Sequence, residues 1–159
     1  MNLLTWAPLA LFFLVVLTIC AILLLNLIAS RDAQDLAALP RQVITSSRGK
    51  GKLRLAVART EDELGKGLSG HRQLSGVDGM LFLPQGSSTA VTMLGVKVPL
   101  GIVWLDQHNR IVHIKPMVRP SPWLLRLNSP TPASRIIEVQ AGALQKLGTL
   151  TPGDTLHFS

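Results

Sequence analysis

Three side chains of this 159-residue chain have the types that build a polar pocket: His71 and Arg72, adjacent after a short predicted helix, and Glu138, inside the apolar run Ile136-Ile137-Glu138-Val139. An acid in such a run lies either on a solvent face or in the interior. In the interior it needs a basic partner or a shifted proton equilibrium. Acids perturbed in that way gather at functional sites. His71 with Arg72 is the local polar pair that would face a ligand; the plainer alternative is an exposed loop after a helix. These three are the candidate ligand-binding residues.

No other chemistry is legible. The chain has no His-Glu-x-x-His, no Cys-x-x-Cys, no phosphate-binding Gly-rich loop ending in Lys-Ser/Thr and no Gly-x-Ser-x-Gly elbow. His71, His108, His113 and His157 lie far apart without ligand spacing, so neither a metal nor another cofactor is expected. His108 falls in a predicted turn and His157 near the terminus, both solvated positions. Asp106 reads as a turn cap, and Asp78 and Asp154 stand beside glycines in turns. No nucleophile has an evident base, so no catalytic residue is assigned and the balance leans away from an enzyme.

Charge and composition narrow the partners. The chain has 16 basic and 9 acidic residues, net +7, all of them after residue 30. A nucleic-acid surface would need a basic stripe with stacking aromatics. This chain has no Tyr, and its basic residues are scattered, so nucleic acid is not expected. Cys20 is the single cysteine, which rules out an intrachain disulfide.

The elements that would position these residues begin with an uncharged run, Leu3 to Ala29. About 20 apolar residues span a bilayer core of ~30 Å, so residues 1–30 are expected to form a single transmembrane anchor contacting lipid through 3–29. A cleaved signal fits less well, because the run is too long and exits through Leu27-Ile28-Ala29-Ser30. Residues 31–52 read as a flexible basic linker: its first part extends the anchor helix until Pro40, and Ile44-Thr45-Ser46-Ser47-Arg48-Gly49-Lys50-Gly51-Lys52 is Ser/Gly/Lys-rich. Residues 53–159 suffice for one small domain.

Within 53–159 the apolar runs are short, β-branched and separated by turn residues, as strands are. Strands are expected at Leu53–Val57, Gly79–Leu83, Thr89–Leu94, Gly101–Asp106, Arg110–Pro116, Ile136–Val139 and Thr155–Phe158. The fourth and fifth should form a hairpin through Gln107-His108-Asn109. Thr60 followed by Glu63 predicts a capping box opening a short helix that ends near Gly67 or Gly70, and Ala141–Leu147 a second helical turn. The expected fold class is mainly β, with α+β as the alternative: a small antiparallel β-barrel or roll with one or two short helices, preceded by the transmembrane helix.

Pro116 to Leu127, followed by Pro130 and Pro132, reads as a rigid excursion outside the ladder. It either folds back over one end of the barrel or presents Trp123, Leu124 and Leu125 as a contact surface for a membrane partner.

Gly67-Leu68, Gly79-Met80-Leu81-Phe82, Met93, Pro99-Leu100, Val103-Trp104-Leu105-Asp106, Ile137-Glu138-Val139 with Gly142, and Gly153-Asp154 resemble, in this order, the landmarks of the domain of unknown function 192 family. The resemblance implies a compact, barrel-like β domain, often exported or membrane-tethered in prokaryotes, with no established activity. It also exposes departures. Where the family usually carries Lys, Asn and Asp, this chain has Leu94, Gly95 and Gly101.

Two functions follow. One is a non-catalytic binding or accessory module of the cell envelope; the alternative is a small enzyme or ligand-binding domain with a pocket around His71, Arg72 and Glu138. The resemblance puts the domain outside the cytoplasm. Arg31, Arg41 and Arg48 after the apolar run vote for the cytoplasmic side.

Overall fold

The computed structural model describes residues 7–29, 33–85, 89–122 and 126–159. It divides into two compact units, residues 1–31 and 32–159.

The first unit is helix α1, Ala7–Ala29, 23 residues without a charge. From Leu9 to Leu24, where its side chains are described, every residue is exposed. Leu, Ile, Val and Phe lie on all sides, so the helix has no polar face to offer water. Its one described hydroxyl, Thr18 Oγ1, donates back to the carbonyls of Leu14 and Val15 at 3.1 and 2.8 Å. Among the described residues no helix is long and apolar enough to cross a membrane.

The second unit is a curled seven-stranded sheet. Its strands are β1 Arg41–Ser46, β2 Gly49–Ala58, β3 Gly79–Phe82, β5 Leu100–Leu105, β6 Ile111–Val118, β8 Arg135–Gln140 and β9 Leu156–Phe158, in spatial order β6-β5-β8-β3-β2-β1-β9. The remaining strands, β4 Val91–Thr92 and β7 Arg126–Leu127, form a separate two-residue ribbon. The edge strands meet at one corner, where Arg110 bridges Thr155 and the Ile111 N–H donates to the Asp154 carbonyl at 2.8 Å. The sheet is therefore a half-barrel closed at one corner.

Three expectations are corrected. The sheet is not wholly antiparallel: β2 and β3 run parallel, from Leu55 beside Gly79 to Ala58 beside Phe82. A parallel pair needs a crossover, and residues 59–78, including helix α2 (Glu61–Lys66), supply it. Residues 31–52 are not simply a linker, because β1 and the start of β2 occupy 41–46 and 49–52 as a hairpin. Nor does a helix continue to Pro40. Asp35 instead makes a side-chain turn, its Oδ1 accepting from the Ala37 N–H at 2.9 Å, and Leu36 is buried.

The glycines read as linker signals serve packing. A Cβ on Gly51 would collide with the Lys146 carbonyl, so glycine lets the 3-10 turn Ala143–Leu147 lie directly on β2. Leu147 is thereby fully buried.

Other expectations match. Thr60 caps α2, accepting from the Glu63 N–H at 3.3 Å while the Glu63 carboxylate accepts from the Thr60 N–H at 3.0 Å. Asp106 Oδ1 accepts from the N–H groups of His108 and Arg110 at 2.8 and 2.9 Å, closing the β5–β6 hairpin with Asn109 in the left-handed region. One further expectation differs: Pro116 to Val118, read as outside the ladder, complete β6, an edge strand where the missing proline N–H costs no ladder bond, and Arg126–Leu127 pair with β4 as β7.

Both faces of the sheet are covered. Ile44, Leu53, Leu55, Val57, Leu81, Val103, Ile137, Val139 and Leu156 pack on one face. Ala56, Ala58, Met80, Phe82, Leu100, Ile102, Trp104 and Ile136 pack on the other, with Leu36, Leu68, Met93 and Val96 over them. Each full burial of such a side chain contributes roughly 1.5–3 kcal/mol. Strand β8 lies between β3 and β5 and has no solvent face.

Candidate functional site

Alternation along β8 sends Ile137 and Val139 to one core and Ile136 and Glu138 to the other. Glu138 stands opposite Met80 on β3 and Ile102 on β5, both fully buried. It is itself only 5 % exposed. No hydrogen bond or opposite charge among the described residues stabilises its ionised form, and burial alone pushes the carboxyl up from its usual 4.5 to about 8. At neutral pH it is mostly a neutral acid.

That acid lines a cavity of about 100 Å³. The floor is Phe82 and Ile136, beside Glu138. One wall is the end of α2 and the chain that leaves it, Leu64 to Ser69; the other is Ala90 to Thr92, which leads into and forms β4. Gly67 ends α2 with φ of 48°, and a Cβ there would press on the Phe82 ring, so this glycine shapes the wall. Lys66 is the other ionisable lining residue, and its ammonium is engaged by Asp62 at 2.7 Å.

A second cleft of about 370 Å³ shares Leu64, Gly65, Phe82, Ala90 and Ile136 with the cavity. Its other lining residues include Glu61, Gln85 and Arg126. Through these shared residues the two adjoin as one depression, with Glu138 lining its inner part and Glu61 and Arg126 its outer part.

The remaining sequence candidates lie elsewhere. Neither His71 nor Arg72 lines the cavity. Arg72 is exposed; His71 is half-buried, its Nε2 enclosed without a hydrogen-bond partner among the described residues. Trp123, Leu124 and Leu125 fall outside the described residues. His113 stacks on Trp104 with ring centroids 5.2 Å apart, while His108 and His157 are exposed. Among the described residues no three His, Cys, Asp or Glu side chains gather as a metal site would require.

The cavity walls escaped sequence reasoning. Gly65, Phe82 and Ala90 carry no chemical signal of their own, and only the crossover brings α2 over β3 and β8. The acid in Ile136-Ile137-Glu138-Val139 was the one available signal.

Residues 43–158 match the family model for DUF192, described as "Uncharacterized ACR". The chain belongs to the DUF192 family. No curated protein matches it. Among solved structures, a protein from Sinorhizobium meliloti provisionally assigned as a transcription regulator is 24 % identical, with a TM-score of 0.63 over 74 % of this chain and 92 % of that one. A protein of unknown function from Novosphingobium aromaticivorans is 25 % identical, with a TM-score of 0.64 over 81 % of this chain and 95 % of that one. Both have the same curled-sheet fold.

The family departures Leu94 and Gly95 lie at the cavity's edge. The Leu94 carbonyl accepts from the Ser69 hydroxyl at 3.2 Å, and the Gly95 carbonyl accepts from the Gly70 N–H at 2.9 Å. Gly101 is distant, in β5 against Leu144 and Pro116.

Proposed function

We propose that this DUF192 protein is a membrane-held binding module that takes a small ligand, without chemically changing it, in the depression at Glu138. The carrying observation is the buried, unpartnered carboxyl lining an open cavity. An acid with no bond from the described residues supports a role for a bond from elsewhere. A purely binding role is supported by the inner cavity, where Lys66, the other ionisable lining side chain among the described residues, is engaged by Asp62.

Membrane attachment rests on α1. The run it belongs to, Leu3 to Ala29, carries no charge, and about 20 apolar residues suffice for the ~30 Å hydrocarbon core. Its exposed apolar side chains have no favourable solvent but lipid or another apolar surface. The domain reads as extracytoplasmic on the family resemblance.

Binding is tested on the full chain in nonionic detergent with a set of small polar organic fragments, read by thermal shift, against the variant Gly65→Leu. Position 65 lines both parts of the depression, and a Cβ there meets nothing within 4 Å, so a side chain can start there and leucine is chosen to obstruct the cleft. Fragments that stabilise the native chain and fail with Gly65→Leu support the proposal; a fragment set that binds neither, or both equally, refutes it. For attachment, the full chain should stay in the membrane pellet through alkaline carbonate, whereas a chain starting at residue 32 should not. A reporter fused after Ser159 reads the domain's side.

A further inference from the structure

We infer that the ligand of the Glu138 depression is a primary ammonium on a short apolar chain, its cationic head at Glu138 and its body between Leu64, Phe82 and Ile136. The inference rests on the binding role proposed above and assigns the ligand class. Three observations select it.

The first is the lack of positive charge at the acid. Glu138 faces Met80 from β3, Ile102 from β5 and apolar side chains from the ribbon. Lys66, the only basic side chain in the cavity wall among the described residues, is held by Asp62 at 2.7 Å. An incoming cation thus meets an acid with no competing partner among the described residues.

The second is the polarity of the wall. It is built from the C-terminal end of α2 and the chain through Ser69, where the Glu63 and Lys66 carbonyls accept from the Gly67 and Ser69 N–H groups at 2.9 and 3.1 Å. The Lys66 ammonium is held by Asp62, so among the described residues the wall beside Glu138 presents no unengaged charge. Acidic Glu61 and basic Arg126 line the outer cleft and not the inner cavity. Once ionised, the Glu138 carboxylate is acceptor-only, and a primary ammonium brings three donors and no acceptor.

The third is size. About 100 Å³ beside Glu138 holds a head of a few heavy atoms, since a comparable apolar cavity of ~150 Å³ takes benzene. The adjoining 370 Å³, lined by Leu64, Phe82 and Ile136, receives a chain. Among the described residues the lining has one phenyl ring, Phe82, which does not form an aromatic cage and disfavours a quaternary head.

Binding then exchanges a proton for a cation. Glu138 gives its carboxyl proton to solvent as the ammonium arrives, and the ligand keeps all of its own. With the free acid titrating at about 8, the ionised fraction grows about 90-fold between pH 6 and 9, and affinity should follow. An alkylammonium, like Lys, stays charged over that range.

Calorimetry on the full chain in nonionic detergent tests this with n-butylammonium, butan-1-ol and butyramide as probes. The ammonium should bind at least about tenfold more tightly than either neutral probe at pH 8, as a charge-assisted bond warrants. Its affinity should climb through the pH range, with roughly 0.9 proton released per ligand at pH 7. Glu138→Gln should lose the preference for the ammonium, and Gly65→Leu, its fold verified by an unreduced melting temperature, should lose binding altogether. If a neutral probe binds better, with no rise in affinity from pH 6 to 9, and Gly65→Leu still abolishes it, the ligand class is overturned while the binding role stands. If none of the three binds, the ammonium inference falls, and the fragment set decides the binding role separately.

Discussion

Replacing Glu138 with Gln should make the protein more stable at neutral and alkaline pH, although it exchanges one buried polar group for another. The folded carboxyl titrates at about 8 against an ordinary 4.5. Below pH 4.5 it is protonated folded or unfolded, and burial carries no ionisation penalty. Between 4.5 and 8 the unfolded chain ionises while the folded one does not, so stability falls by ~1.4 kcal/mol per pH unit; above 8 both are ionised and the loss is complete. The full loss is about 5 kcal/mol, with about 3 kcal/mol reached by pH 7. Glutamine has nearly the same shape and does not titrate. The stability difference between the two chains should therefore change by about 3 to 4 kcal/mol from pH 5 to pH 8, in favour of the variant as pH rises. Urea denaturation of both full-length chains in nonionic detergent measures it. Tryptophan fluorescence is a suitable signal, because Trp104 is fully buried with its indole N–H on the Thr89 carbonyl at 2.9 Å. Taking the difference cancels every other titrating group. A difference that stays constant to within ~0.5 kcal/mol across pH 5–8 would refute the buried acid and the site built on it.

The other predictions concern the frame around the site. Thr60→Ala removes the cap of α2 and should cost ~1 kcal/mol, visible as a lower melting temperature and faster amide exchange in residues 61–66. Gly79→Ala should prevent folding or lower stability by several kcal/mol, checked by circular dichroism, because a Cβ there collides with the Glu138 carbonyl and Val139. Burial pushes the Asp78 carboxyl up, but the Lys146 ammonium at 2.7 Å and the Arg54 N–H at 2.8 Å outweigh it and leave it below the usual range. Its contribution is thus present above pH 3.8 and lost as pH falls through the lowered folded value. Asp78→Asn should destabilise the protein at pH 7 and flatten the acid limb of its pH–stability curve, measured by thermal melts from pH 2 to 7.

Local signals were readable where residues near in sequence satisfy one another. Thr60 and Glu63 cap a helix three residues apart, and Asp106 reaches the N–H groups of His108 and Arg110, so no distant partner is needed. Strand β8 was legible as a strand, but whether Glu138 faced water depended on α2 and β4, which sequence alone could not bring over it. The misreading of 31–52 has the same origin. Gly49 and Gly51 signal flexibility in isolation; here they admit the backbone of residues 146–148 against β2, a contact about a hundred positions away. The parallel β2–β3 pair was hidden because its register is set through the crossover 59–78 rather than by a turn. His71 and Arg72 were adjacent in sequence, yet neither reaches the wall around Glu138.

The mechanical contrast around Glu138 bears on how a ligand would enter. Its floor is the stiffest part of the domain: β3 and β5 are buried along their whole length, and β8 is hydrogen-bonded to both. Its walls are light. Helix α2 has six residues and none buried, and the facing ribbon β4–β7 contributes only two residue pairs. A six-residue helix is not stable by propensity alone, so α2 holds its place through its capping box and through Leu68, buried just beyond its end. Local opening of such a wall costs far less than global unfolding. The carboxyl is thus fixed to within the small fluctuations of a packed sheet, while the groups that cover it can part. Fixed chemistry under a lightly held cover suits reversible capture of a small molecule. It also makes the site's cost intelligible: the folding free energy forfeited at Glu138 lies in the one strand whose neighbours are rigid enough to bear it.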